Sequence, residues 1–213
     1  MLKTLMFIFF YLILFLRVWV PLLFILSVKR WLQMKLEFFL IGKQGNAQKL
    51  FSPFGSFFFP LIAYSFRIIF GSPLVFCWLK PVYNHKLENW QNTLIAISGP
   101  VFHLGVALSL LYIDNNVLKL TSNIDSNIFL WMLLPFIKIV ISQNLLLALV
   151  NVLPFYPFDF SKLFAKMFFN KDENLFFIFK LVGLITTIIL FSLPQTWHLI
   201  DKVIGVCMSL YYR

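Results

Sequence analysis

Apolar residues run along this chain in long blocks, not in the narrow stripes of a surface helix. The blocks are residues 5–28, 51–79, 93–113, 128–153 and 175–193, with a shorter one at 197–212. A block of roughly 20 apolar residues is long enough to cross the hydrocarbon core as a helix. Polar residues punctuate the blocks. Arg17 and Pro21 interrupt the first, and Pro53, Gly55, Pro60, Arg67 and Gly71-Ser72-Pro73 break the second. The third carries Gly99-Pro100 and His103, the fourth Lys138 and Gln143-Asn144, and the fifth Lys180. Residues 37–42 predict a short surface strand after the first helix.

The stretches between blocks choose a topology. Residues 29–49 hold Lys29, Arg30, Lys35, Lys43 and Lys49 against the single acid Glu37, and read as a cytoplasmic loop. Residues 114–127 read as an acid-leaning polar loop, and residues 159–173 are basic again. If the second block crossed once, the two basic stretches would fall on opposite sides. If it dips in and returns at Gly71-Ser72-Pro73, residues 29–49, 80–92 and 159–173 share the cytoplasm and 114–127 lies outside. The charge rule favours the re-entrant arrangement, which protein burial of the broken backbone permits.

Composition agrees with this pattern. The chain has 213 residues, 61% hydrophobic and 12% charged, against about 25% charged in an average soluble domain. The predicted fold class is an all-α polytopic membrane protein of five to six hydrophobic segments, one re-entrant, in a single domain over residues 1–213. The net charge of +10 belongs to loops of a membrane protein and does not argue for nucleic acid. The expected location is the inner or plasma membrane, multi-pass. Cys77 and Cys207 lie in apolar segments and read as buried free thiols rather than a disulfide. Residues 5–28 are too long for a signal-peptide core, and no small-residue cleavage site follows.

Candidate chemistry concentrates in Asn151-Val152-Leu153-Pro154-Phe155-Tyr156-Pro157-Phe158-Asp159. A helix entering Pro154 and Pro157 must break, because each proline lacks a donor and clashes with the preceding turn. In lipid a break is tolerated where protein or water satisfies the freed backbone. A carboxylate there needs a partner, water or a metal. The stretch therefore reads either as the lining of a polar cavity or as a helix ending at the surface with Asp159 in water. Arg17, Arg67, Lys138 and Lys180 either line a path or snorkel to the interface.

A series of motifs surrounds that stretch: Asn46-Ala47-Gln48-Lys49, Ser52-Pro53-Phe54-Gly55-Ser56, Leu79-Lys80-Pro81-Val82-Tyr83-Asn84 and Ile97-Ser98-Gly99-Pro100-Val101-Phe102-His103, then Asn151 to Asp159. In order and spacing, over residues 46–159, the series resembles the short bacterial group of site-2 proteases, the intramembrane zinc metalloproteases. Residues 174–213 would be C-terminal helices. The resemblance implies a zinc held by two histidines of an H-E-x-x-H helix and by an aspartate at the position of Asp159. His at i and i+4 share a helix face and grip one ion, and the Glu between them serves as general base. It also implies a substrate groove at Asn151, Pro154, Pro157, Gly99 and Pro100.

The H-E-x-x-H position falls on Pro21, Leu22, Leu23, Phe24 and Ile25, none of which binds zinc or moves a proton. The family's Asn after Gly-Pro is His103 here, and the Gly after the motif aspartate is Phe160. The expectation is a catalytically inactive relative, without bound zinc, that holds a transmembrane segment of another membrane protein. An alternative is an active, divergent protease whose substitute metal ligands are His103 and His198, with Asp159 and Asp201. A third reading, from another class, is a small transporter or channel. A fourth is a chain shaped by compositional bias under weak selection.

Overall fold

A computed structural model of the protein describes residues 2–41, 61, 88–161, less 122–127, then 163–165 and 173–211. The described residues are helical apart from turns, with no strand among them. The long helices among the described residues are α1 (Leu2–Ile41), α2 (Asn89–Thr121), α3 (Ile128–Val150), α4 (Glu173–Ser192) and α5 (Pro194–Tyr211). Three apolar stretches within them, Phe9–Leu40, Asn89–Asn116 and Asn174–Ser192, are long enough to cross a membrane. Leu134–Val150 is a shorter apolar helix.

α1 is longer than its apolar block. At 1.5 Å per residue, its 40 residues reach about 60 Å, twice the hydrocarbon thickness of about 30 Å. Residues 29–41, expected as a loop and then a strand, continue the helix. No proline or glycine lies between Val28 and Ile41, and the Lys, Arg, Gln, Met, Leu and Glu there are good helix formers. The remainder of both expectations, residue 42 onward, lies outside the described residues. Asp114 to Thr121 likewise belong to α2 rather than to a loop. Pro194 opens α5, where a missing backbone N–H is harmless.

α1, α2 and α3 pack as a bundle. α1 turns Phe15, Val18, Leu22 and Leu26 inward, spaced three and four apart, against Ala107 and Leu111 of α2 and Ile137, Ile141 and Leu145 of α3. α2 runs antiparallel to α1. Gln33 Nε2 donates to the Ile95 carbonyl at 3.2 Å, and Gln91 Nε2 to the Leu40 carbonyl at 3.4 Å. The end of α1 and the start of α2 therefore lie together. The second block, apart from Leu61, lies outside the described residues, and so does its expected re-entrant course. The basic residues 29–41, the start of α2 and the turn after α3 share one end of the bundle.

α3 stops at Val150, four residues before Pro154, whose nitrogen cannot donate back to Val150. Asn151 closes the helix: its backbone N and its Nδ2 both donate to the Leu147 carbonyl, at 3.1 and 2.7 Å. The turn 151–160 then folds back over the bundle, with a cis peptide at Tyr156-Pro157. α4 receives it, since Thr187 Oγ1 donates to the Tyr156 carbonyl at 2.9 Å. Phe191 links α4 to α5, its carbonyl accepting from Trp197 Nε1 at 2.7 Å. Cys207 is free but exposed on α5 rather than buried, and Cys77 lies outside the described residues.

Candidate functional site

Below Leu26, the inward stripe of α1 changes chemistry without changing period. Lys29, Arg30, Gln33 and Glu37 follow at the same helical spacing and are all buried. The other helices also bury polar groups, Asn92 and His103 on α2 and Gln143 and Asn144 on α3, with Asn151 just after α3. Asp159 completes the set from the turn, 4% exposed, so the reading of a surface carboxylate in water does not hold.

Lys29 Nζ bonds Asp159 Oδ2 at 2.9 Å. The carboxylate rests on the bare face of Gly99. A Cβ at that position would overlap Asp159 Oδ2 and come within 2.8 Å of its Cγ, with Gln33 Nε2 at 3.3 Å. Pro100 follows, and its missing N–H leaves the Ala96 carbonyl without a helical donor. Asn151 orients the turn from the other side. Its Oδ1 accepts from Asp159 N at 3.4 Å and its carbonyl from Phe160 N at 3.1 Å. Three of the motif positions, Gly99, Asn151 and Asp159, thus meet in one place. Pro157 is buried, whereas Pro100 and Pro154 are half-buried.

His103 lies one helical turn beyond Gly99 and is fully buried. Its Nδ1 is 2.9 Å from Asn144 Oδ1. It feels the charges of Lys29 and Asp159, but its near partner is the amide. Arg30 feels Asp159 and Glu37. Two cations, Lys29 and Arg30, therefore stand with two acids in the same buried half of the bundle.

Pro21 to Ile25 lie in α1, half-buried or buried apart from the exposed Phe24. A cavity of about 10 Å³ adjoins Leu22 and Ile25, its other walls being Val18, Ile139, Val140, Gln143 and Asn144. Five aliphatic side chains and two amides supply no zinc donor set. Among the described residues, no three His, Cys, Asp or Glu side chains gather as a metal-holding group. The residues present do not fit the zinc that the resemblance implies, because Asp159 already binds an ammonium and residues 21–25 bring no donor. His198 and Asp201 lie apart from this site, exposed on α5. Partial burial raises the Asp201 carboxyl, and His198 pulls it the other way. Lys138 is exposed and does not take the role of counter-ion to Asp159. Arg17 lies 5.8 Å from the Phe136 ring centre, and Lys180 Nζ 3.8 Å from that of Phe176.

Lys29, Arg30, Gln33 and Glu37 escaped the sequence reading because the basic stretch that holds them marked a loop. The signal that finds them is the unbroken spacing 22, 26, 29, 33, 37, which keeps them on the inner face of the helix. Among the described residues, the fold and site define a helical protein with three membrane-length helices and a buried ionic cluster at one end of the bundle. Comparison with family models, with characterised proteins and with solved structures gives no match.

Proposed function

We propose that this chain is a non-catalytic, multi-pass protein of an inner or plasma membrane, built like the site-2 proteases, in which Lys29 stands in for the metal. One observation carries this reading: Asp159, at the third-ligand position, is bound by Lys29 while seated on Gly99 of the Gly-Pro motif. A tethered ammonium neutralises the carboxylate as a zinc ion would, but it has no vacant coordination position and cannot activate water. The remaining work is to hold a transmembrane segment of a partner beside the turn 151–160. The test is metal analysis and peptidase assay of purified full-length protein. Stoichiometric zinc, with activity abolished by Asp159→Ala, overturns the proposal. An active divergent protease would depend on His103 or His198, and loses that basis if replacing both leaves activity unchanged.

A second reading draws on the buried ionisable residues themselves. Lys29, Arg30, Glu37 and Asp159 lie inside or beside membrane-length helices, where such groups mark ion or proton paths. It makes the protein a small transporter or channel. Ion or proton flux in reconstituted vesicles, lost on Asp159→Asn, would establish that reading over the first.

A further inference from the structure

Two buried groups in the polar half have needs that no described protein atom meets. Arg30 is 7% exposed, and its Nε and Nη1 have no hydrogen-bond partner among the described residues. His103 is 0% exposed, and its Nε2 likewise has none. Their requirements are opposite. The Arg30 nitrogens can only donate. For His103 the local bonding fixes the role. The Val140 carbonyl can only accept, so Asn144 must present its NH₂ there, at 2.9 Å. That leaves Asn144 Oδ1 as acceptor toward His103, so Nδ1 carries the proton. In the neutral ring, Nε2 is then a bare lone pair waiting for a donor.

Buried polar atoms in folded proteins are nearly always bonded, to protein or to water. An anion would suit Arg30 but would meet Asp159 and Glu37, whose charges already act on it. A cation would suit Nε2 but would meet Lys29, whose charge acts on the ring. Water both donates and accepts and carries no charge.

We propose that the polar half of the bundle is a blind aqueous well, which binds water at Arg30 Nε and Nη1 and at His103 Nε2 and opens only at the end where α1 finishes and α2 begins. Buried polar side chains continue from His103 down to Glu37 and Asn92 at that end. In the other direction Ala107 and Leu111 follow on α2, packed against the apolar stripe of α1. The next buried acid, Asp114, is eleven residues on, about 16 Å along the helix. The well therefore hydrates the Lys29–Asp159 pair from one face of the membrane and stops below Ala107. This inference needs the bundle to cross a bilayer, but not the protease relationship.

The unsubstituted chain, isotope-labelled and reconstituted in phosphatidylcholine vesicles, tests it by water-edited solid-state NMR. Early transfer of water polarisation to the Arg30 and His103 side chains is expected, with late transfer to Leu22 and Ala107. Late transfer to Arg30 and His103 overturns the proposal. A second arm uses a Cys77→Ser, Cys207→Ser background carrying Gln33→Cys, His103→Cys or Ala107→Cys, and a membrane-impermeant thiol reagent. Gln33→Cys and His103→Cys should react from one face only, and Ala107→Cys from neither. Reaction of Ala107→Cys, or of His103→Cys from both faces, would mean a continuous pore instead. If a cysteine variant does not fold, the NMR arm decides alone. Neither readout depends on zinc or peptidase activity, so failure here is distinct from failure of the proposed function.

Discussion

Phe15, Val18, Leu22 and Leu26 on the upper half of α1 and Lys29, Arg30, Gln33 and Glu37 on the lower half are buried to a similar degree. The upper half is held by area, and any apolar side chain of matching volume would serve it. The lower half is held by pairing, Lys29 with Asp159 and Gln33 with the Ile95 carbonyl. A buried charge pair adds little net stability over a well-packed apolar pair, yet losing one partner strands the other. The two halves should therefore respond differently to the same kind of mutation.

The largest expected effect is at the ion pair. Asp159→Ala leaves Lys29 buried and uncompensated, and should destabilise the protein by about 3–5 kcal/mol, measured by reversible unfolding in detergent. Adding Lys29→Met to Asp159→Leu should recover most of that loss. Absence of rescue would show that the carboxylate acts through some contact other than Lys29. In the apolar half, Leu22→Ala should cost about 2–5 kcal/mol, and no second truncation on α1 should restore it. Next comes Gly99→Ala, where the new methyl displaces the carboxylate, at about 1–3 kcal/mol. Its effect should shrink in the Asp159→Ala background, a coupling that a double-mutant cycle reads directly. The smallest expected effect has the opposite sign. A methyl added at Gly105 would meet nothing within 4 Å, so Gly105→Ala should stabilise the helix by about 0.5–1 kcal/mol. If both glycine substitutions prove equal, Gly99 is not a seat.

The upper half was legible in the sequence because block hydrophobicity reports apolar burial. A helix break before Pro154 was legible too, since Pro154 and Pro157 act locally, although α3 ends at Val150 rather than at Leu153. The lower half was not. Lys29, Arg30 and Glu37 look the same in a list of charges whether they lie in a loop or inside a bundle, and only the continued helix distinguishes the two. The partner of Asp159 lies 130 residues away, so no window along the chain could pair them. Residues 37–41 of the strand expected at 37–42 are helical for a related reason. Glu37-Phe38-Phe39-Leu40 has no polar–apolar alternation to outweigh a helix already propagating from Val28, where each added residue needs no new nucleus.

The turn 151–160 touches glycines on two different helices. The Asp159 carboxylate sits on Gly99 of α2, and the Tyr156 backbone nitrogen lies 2.7 Å from where a Cβ of Gly183 on α4 would be. Three residues of chain span at most about 11 Å. The turn is therefore a gauge block: it sets how far α4 can stand from α2 and at what height. A foreign helix inserted between them could not simply push them apart. It would have to lift one of the two seats first, and the Gly99 seat is the one locked by a charge.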